Sequence, residues 1–309
     1  MFKGFSRSVI GASHTKSGTV CQDSSSHKIT DYYAVAVVAD GHGSKKHFRS
    51  NMGSQFAVEA VIETIDKFYG DPEEFEANFP KNHKMIVRNI EKQVIALWNK
   101  KASEHLKANP VTDQEKSRFT PEEFEQIAPE SYYGSTLIAG IAGRSFTFGI
   151  QIGDGSFVAI FDDGIAKMPM EYDESAPANV TASICNANAA SMFKSFYSEK
   201  PFISMFASTD GLYTSFGSER DFLDYHVIIT SQLAANADEF KEAVIKNITK
   251  RSHFGTEDDI SLSCVFSAEK ISESVDLLTQ RVEENKKTAA EKKAELKKTM
   301  EKQRQSLME

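Results

Sequence analysis

Acidic residues stand beside apolar runs that have the composition of buried strands, which places carboxylates at strand ends. Carboxylates at the ends of adjacent strands can converge on one point, and oxygen ligands suit Mg²⁺ or Mn²⁺. No cluster of Cys or His accompanies them, which argues against zinc. The acidic segments are Gln22-Asp23, Asp40-Gly41-His42-Gly43, Asp210-Gly211 and Asp258-Asp259, with Gly153-Asp154-Gly155 in a turn between two strands.

Two metal ions that share a bridging carboxylate would also share a water molecule, which ionises more readily than bulk water and attacks in line. His42 lies beside Asp40, and a histidine with a pKa of about 6.5 is suited to protonating a leaving alkoxide. Each motif alone also has a purely structural explanation, because Asp-Gly is a common turn dipeptide. Their occurrence together beside strands favours a site that hydrolyses phosphate esters.

Composition narrows the possible functions. The chain has 309 residues and a net charge of −8, which disfavours nonspecific nucleic-acid binding. Its three cysteines, Cys21, Cys185 and Cys264, do not have the spacing of a zinc site or a disulfide framework, so we expect free thiols. A nucleophilic Cys21 is the less favoured alternative. We find neither a signal peptide nor an apolar run of about 20 residues. We therefore expect a cytoplasmic protein without a membrane partner.

The apolar periodicity predicts strands, helices and connecting segments along most of the chain. A polar segment, 109–131, is predicted to be an inserted loop, and 164–200 to be irregular. Strands are predicted at 32–39, 135–142, 145–151, 156–161, 203–208 and 260–266, and helices at 50–69, 84–106 and 219–250.

The composition changes at residue 268, where a tail rich in Lys and Glu begins. Its apolar residues Ile271, Val275, Leu278 and Val282 follow a heptad spacing. We therefore divide the chain into a domain of residues 1–267 and a helical, coiled-coil-like C-terminal tail of residues 268–309. The tail is available for self-association or for a partner, and a solvated helix without a partner is the alternative.

Several motifs resemble those of the type 2C (PPM) protein serine/threonine phosphatases, in the family's order over roughly residues 8–267. VVADGHGSKKHFRSNMGSQFA resembles the first metal motif and the helix after it, and FASTDGLY and GTEDDISLSCVF resemble the later metal motifs. YGSTLIAGI followed by IGDGSF is similar to the paired central strands and their turn, and GASHTKSGTVCQDS resembles a bacterial branch.

The resemblance implies an α+β fold, an α-β-β-α sandwich of two antiparallel sheets flanked by helices. It also implies two Mg²⁺ or Mn²⁺ ions and a role for each site residue. In that scheme Asp40 bridges both ions, the Gly41 carbonyl binds one ion, and Asp210 and Asp258 complete the coordination of the other. Asp23 holds metal-bound water, and Asp154 lies beside an accessory third ion. His42 protonates the leaving group.

The sequence departs from the family pattern at four places. Asp259 stands where the family has Asn, so Asp258 and Asp259 are both candidate ligands, with Asp258 favoured by the motif. Thr214 replaces an Asp found in some members, so a third ion is expected to bind weakly. Gln22 stands in place of Glu or Asn, and should still hydrogen-bond a metal-bound water. The usual phosphate-binding Arg is missing, which leaves His14 and Lys16 as candidate phosphate contacts, without the bidentate fork of Arg.

The first hypothesis is therefore a signalling phosphatase that acts on phosphoserine or phosphothreonine, with a phosphoprotein substrate and a cognate kinase. A catalytically weak or inactive pseudophosphatase that serves as a binding module is the second. A scaffold whose tail is the main functional element is the third.

Overall fold

The computed structural model describes residues 1–170, 182–235 and 237–306. Within these ranges two five-stranded sheets have the strand orders β2-β3-β4-β5-β8 and β1-β10-β9-β6-β7, and every neighbouring pair is antiparallel. The strands are β1 (Phe2–Val9), β2 (Ser24–Ile29), β3 (Ala34–Ala39), β4 (Leu137–Ala142), β5 (Thr147–Ile152), β6 (Ser156–Phe161), β7 (Ala166–Lys167), β8 (Lys194–Ser198), β9 (Phe202–Ser208) and β10 (Ile260–Ser267).

Helices cover the outer face of each sheet, so the predicted α-β-β-α sandwich is confirmed. Two long helices, α2 and α3, lie on the first sheet, and α8 to α11 lie on the second. The helices are α1 (Ala12–Ser17), α2 (Ser50–Phe68), α3 (Pro72–Ala108), α4 (Asp113–Lys116), α5 (Pro121–Glu125), α6 (Ala189–Met192), α7 (Asp210–Thr214), α8 (Glu219–Ala235), α9 (Ala237–Arg251), α10 (Ala268–Glu273) and α11 (Val275–Ser306).

Strand β3 illustrates why the sheets stack as they do. Val35 and Val37 point to the helical layer, while Ala34 and Ala36 point to the second sheet. Since side chains alternate along a strand, a run that is apolar at every position must be buried on both faces. The small alanines leave room for the larger Phe157 between the sheets. Burial of this strand on both sides fixes the position of the turn that follows it, and this turn carries Asp40.

Strands β1 and β2 were absent from the sequence predictions because their pattern is polar. They lie at the same edge of the sandwich in different sheets, and hydroxyl groups join them there. Ser8 hydrogen-bonds Ser25 at 2.9 Å and Ser261 at 2.6 Å. The two sheets thus contact each other here through hydrogen-bonded serines, which an apolar period cannot reveal.

The segment 109–131, predicted to be a loop, contains the short helices α4 and α5. Each begins with a capping box, in which a threonine caps the helix and a glutamate three residues later bonds back. Arg49 holds the segment in place through Glu115, at 2.7 Å between Nε and Oε1, and lowers the pKa of that carboxyl to about 2. The Thr-x-x-Glu spacing at Thr112 and Thr120 was the available signal.

Other element boundaries differ from the predictions in detail. Helix α3 begins at Pro72 rather than near Lys84, with a break in helical geometry at Asn82. The helical region predicted at 219–250 is divided into α8 and α9, and the described part of 164–200 contains β7, α6 and β8. Residues 171–181 of that segment lie outside the described ranges.

The first turns of the C-terminal tail pack against α8 and share the core of the second sheet. Ile271 and Leu278 are buried there and Val282 is partly buried, whereas Val275 is 42% exposed. Three of the four heptad positions thus face this chain's own core. Among the described helices, none is both long and apolar enough to cross a bilayer.

His226 on α8 predicts a pH dependence of folding that is independent of the candidate site. Its Nδ1–H donates to the Phe222 carbonyl at 2.7 Å, and its buried Nε2 has no partner among the described residues. Burial lowers the pKa of His226 to about 4. Because the unfolded chain then binds more protons between pH 6.5 and 4, acidification destabilises the fold, by about 2 kcal/mol between pH 7 and pH 5.

Urea unfolding of wild type and His226→Leu at these two pH values measures this contribution. We expect a smaller loss in His226→Leu, and the same loss as wild type in His253→Gln, since His253 is exposed. Equal losses in wild type and His226→Leu would contradict the assignment.

Candidate metal and phosphate site

The turn after β3 holds the first acidic residue of the candidate site. The Asp40 N–H donates to Thr136 Oγ1 at 3.0 Å, and the Thr136 N–H donates to the Asp40 carbonyl at 2.8 Å. A Cβ on Gly41 would lie 2.6 Å from the Gln22 carbonyl oxygen and 2.7 Å from that of Ser50. Only glycine therefore fits where this turn passes between the N-terminal segment and α2.

The other acidic residues come from segments next to β9, β10 and β2. Asp210 is the first residue of α7, two residues after the end of β9, and Asp258 lies two residues before β10. Asp23 precedes β2 and its Oδ2 accepts a hydrogen bond from Thr209 Oγ1 at 2.8 Å. Since β3 packs across the sandwich against β9 and β10, the structure brings these segments to one end of the two sheets.

The carboxylates of this cluster repel one another. Burial raises the pKa of Asp40 well above its usual range, and the charges of Asp23, Asp210, Asp258 and Asp154 raise it further. Burial also raises the pKa of Asp210, to which Asp154 and Asp258 add. A bound cation would relieve the same repulsion.

Asp23 experiences the same environment. Burial raises its pKa well above the usual range, Asp259 and Asp210 raise it further, and the hydrogen bond from Thr209 opposes them. Asp154 lies exposed in the turn between β5 and β6, where Gly153 has a φ of 104° that disfavours other residues. Asp154 thus acts on the cluster through its charge.

The donor chemistry fits a hard divalent cation, because the cluster offers carboxylate and carbonyl oxygens in a strongly negative environment. In the described ranges no three His, Cys, Asp or Glu side chains already form a metal-coordinating group. Binding would therefore require the carboxylates to reorient, or the Gly41 carbonyl and water to complete the coordination. The ligand set Asp40, Gly41, Asp210 and Asp258 stays a prediction.

Asp259 has different neighbours from Asp258. Its Oδ1 accepts the Gly11 N–H at 2.7 Å and its Oδ2 accepts the Gln22 N–H at 2.7 Å. His14 Nδ1 lies 2.9 Å from Oδ1. The buried Asp259 side chain thus joins the N-terminal segment to β10, and an exposed Asp258 is better placed to bind an ion.

The two predicted phosphate contacts lie on α1 and both have acidic neighbours. His14 faces Asp259, while Lys16 Nζ lies 2.8 Å from Glu257 Oε1 in an exposed ion pair. Glu257 has a φ of 60°, which is rare for a residue other than glycine. A phosphate contact from either residue would replace a contact seen here, so this assignment also stays a prediction.

His42 lies beside the acidic cluster in a half-buried position. Its backbone N–H donates to the Gly134 carbonyl at 3.1 Å, and its ring centroid is 5.0 Å from that of His47. Burial lowers the pKa of His42 to about 4, as does the charge of His47, while Asp154 opposes them. His42 thus has a lower pKa than the ordinary value of about 6.5 on which its role as an acid was predicted.

A cleft of about 1130 Å³ opens beside His42. Helix α3 forms one wall with Asn99 and Lys100, and the turn after Asp40 contributes Lys46 and His47. None of these four residues was singled out from the sequence. The Lys45-Lys46 pair, one residue after the Asp-Gly-His-Gly motif, was the available signal, whereas no sequence signal indicated the long-range packing of α3.

Cys21 provides no support for a thiol nucleophile. Burial raises the pKa of the Cys21 thiol well above its usual range, and the charges of Asp259 and Asp23 raise it further. A thiol in this setting stays protonated and unreactive.

Comparison with known proteins supports the fold. A family model described as Protein phosphatase 2C matches residues 10–247. A comparison with curated proteins returned no match. Among solved structures, the S. agalactiae serine/threonine phosphatase has 16% identity and a TM-score of 0.53, with 86% of this chain and 99% of that chain covered.

Two further solved structures share the fold. PppA, a key regulatory component of T6SS in Pseudomonas aeruginosa, has 16% identity and a TM-score of 0.52, with 86% of this chain and 97% of that chain covered. A bacterial serine phosphatase has 11% identity and a TM-score of 0.54, with 86% and 98% covered. Because the family model spans more than half of the sequence, the chain belongs to the protein phosphatase 2C family.

Proposed function

We propose that this chain is a metal-dependent phosphatase that hydrolyses phosphoserine and phosphothreonine in proteins. The observation that carries the proposal is the cluster of mutually repelling carboxylates around Asp40, next to His42 and an open cleft. Perturbed carboxyl pKa values beside a cleft are typical of functional sites. Two bound Mg²⁺ or Mn²⁺ ions would supply activation of a water molecule and neutralise charge on the phosphate.

The side chains around the cluster would divide the work of holding those ions. Asp40 would bridge them, the Gly41 carbonyl would bind one, and Asp210 and Asp258 would complete the other. Asp23 would hold water next to them. A third ion near Asp154 would bind weakly.

His42 would protonate the oxygen that leaves with serine or threonine. In the absence of substrate its ring is neutral at pH 7, since its pKa is about 4. A phosphate dianion beside the ring would favour its protonated form. The ring would then take up a proton from solvent as the dianion binds, and the buried position would keep bulk water away from the later transfer to the leaving oxygen.

A pseudophosphatase that binds phosphoproteins without turnover is the second candidate. It is favoured by the lack, in the described part of the chain, of a preformed metal-coordinating group. The contacts that His14 and Lys16 make with acidic residues also favour the pseudophosphatase. With both side chains engaged in this way, neither is a dedicated partner for the phosphate. Both candidates use the same cleft and the same class of ligand.

The proposed partners follow from this chemistry. A phosphoprotein substrate requires a cognate kinase to phosphorylate it. We place the protein in the cytoplasm on its composition, and we assign no membrane or nucleic-acid partner, in line with a net charge of −8.

Hydrolysis of a phosphothreonine peptide and of an aryl phosphate, with Mn²⁺ or Mg²⁺ and then with chelator, tests the proposal. We expect metal-dependent turnover of both substrates. His42→Gln should lose about 10²–10⁴-fold on the peptide, the usual size of general-acid catalysis. It should lose much less on the aryl phosphate, because a phenolate leaves without a proton.

Loss of turnover to the same extent on both substrates would contradict the acid role of His42. Absence of turnover with either metal, from a folded protein that binds the peptide, would favour the pseudophosphatase.

A further inference from the structure

The cleft beside His42 is larger than one phosphorylated side chain requires. Its volume of about 1130 Å³ exceeds the roughly 300–1,000 Å³ of pockets that enclose small organic ligands. Small side chains line much of it, including Ala96, Ala187 and Ala190. A polypeptide backbone can approach such a surface closely, and the Asn99 amide on the α3 wall can bond to peptide groups.

The charge of the cleft is opposite to that of the whole chain. Its lining holds the exposed Lys46 and Lys100 against one acidic residue, Glu130, in a protein of net charge −8. Lys46 belongs to the same loop as His42 and His47, and all three line the cleft.

The two lysines are only weakly engaged by the protein. Lys100 Nζ is 3.8 Å from Glu104 across an exposed helix face, a geometry that stabilises little. Lys46 forms no ion pair within the described ranges, whereas its neighbour Lys45 is paired with Glu123 at 3.0 Å. Their ammonium groups can therefore bind an incoming anion at little cost.

We infer that the cleft binds the polypeptide that flanks the phosphorylated residue, and that Lys46 and Lys100 select substrates with aspartate or glutamate in that flank. The inference rests on the proposed function and names its substrate class. Electrostatic complementarity of this kind raises the association rate of an acidic peptide and lowers its dissociation rate. The lysines contact the flank, while the acidic cluster and His42 act on the phosphate.

Two phosphothreonine peptides test the inference, one with Asp and Glu on both sides of the phosphothreonine and one with Asn and Gln instead. For wild type we expect kcat/KM to be about three- to tenfold higher for the acidic peptide at low salt, and the ratio to fall as salt screens the charges. Lys46→Gln should lower the ratio, and Lys46→Gln with Lys100→Gln should bring it near one. Lys45→Gln, the matched control, should keep the wild-type ratio.

A wild-type ratio near one would overturn the inference, and so would a ratio that the double variant retains. An aryl phosphate reports the proposed function separately, since it has no peptide flank. If no substrate is turned over, the fluorescence anisotropy of the two labelled peptides gives the same comparison by affinity. Tighter binding of the acidic peptide that depends on Lys46 would then support the inference although the proposed activity had failed.

Discussion

Replacing Asp40 with Asn is expected to lower metal-dependent turnover by at least about 10²–10³-fold, while raising the melting temperature of the metal-free protein. The first effect follows from loss of the carboxylate that we propose to bridge two ions, and the size is that of removing one strong electrostatic contact at a reacting centre. The second effect follows from the acidic cluster itself.

The stability effect has a clear physical cause. Burial and four neighbouring carboxylates raise the pKa of Asp40, so its charge opposes folding whenever no cation is bound. Asparagine keeps the shape and removes that charge. We expect a gain of at least about 1.5 °C, which corresponds to about 1 kcal/mol in a protein of this size.

The pH dependence of that gain has a definite sign. A carboxyl whose pKa is raised in the folded state costs nothing below its unfolded pKa, where it is protonated in both states, and the cost grows as pH rises above that value. The advantage of Asp40→Asn over wild type should therefore shrink as pH falls from 7 toward 4.

Thermal melts with chelator, paired with turnover in Mn²⁺, measure both effects. Asp31→Asn is the matched control, because Asp31 is exposed and outside the cluster; it should change neither quantity. Saturating Mn²⁺ should also stabilise wild type more than Asp40→Asn. A variant that melts lower than wild type in chelator, or that keeps its turnover, would contradict the role given to Asp40.

Much of the sandwich could be predicted because its central strands are buried on both faces. An apolar run that ends abruptly in Asp-Gly, as at Asp40 and Asp210, locates both a strand and a carboxylate at its end. The same reasoning could not find β1 and β2, where Ser8 and Ser25 replace apolar contacts with hydrogen bonds between hydroxyls. The periodicity of apolar residues indicates which apolar side chains are buried, and it does not detect packing through hydroxyl hydrogen bonds.

The finer features of the site depend on neighbours that are distant in sequence. The adjacent residues Asp258 and Asp259 have the same chemistry, and only the fold shows that Asp259 bonds to Gly11 and Gln22. The low pKa of His42 comes from burial, which a motif does not record. Lys100 joins the cleft through the packing of α3, more than fifty residues after the Asp-Gly-His-Gly motif.

The boundary between the domain and the C-terminal tail yields the second large effect. A chain that ends at Ser267 would lose the burial of Ile271 and Leu278, two side chains of the second core. Each contributes about 1.5–3 kcal/mol by burial alone, which is a large part of the 5–15 kcal/mol that stabilises a typical domain. We expect this truncation to unfold at a much lower urea concentration or to be insoluble.

A chain that ends at Ala289 should behave differently, because it keeps both buried residues and removes helix whose residues 290–295 are exposed. We expect it to lose less than about 0.5 kcal/mol. Point variants separate packing from chain length. Leu278→Ala should cost about 2–5 kcal/mol, and Val275→Ala, at an exposed heptad position of the same helix, less than about 1 kcal/mol.

The same residues bear on whether the tail pairs with a second copy of the chain. A coiled-coil seam needs its apolar positions free, but Ile271 and Leu278 are already buried against α8 within one chain. Pairing through them would expose the second core, so we expect the mass in solution to be that of a monomer, both for the full chain and for the chain ending at Ala289. A dimer that dissociates on truncation at Ala289 would show that the exposed half of α11 associates on its own, without the heptad residues.

A stable, active chain ending at Ser267 would instead establish the boundary at residue 268 and make the packing of the tail on α8 dispensable.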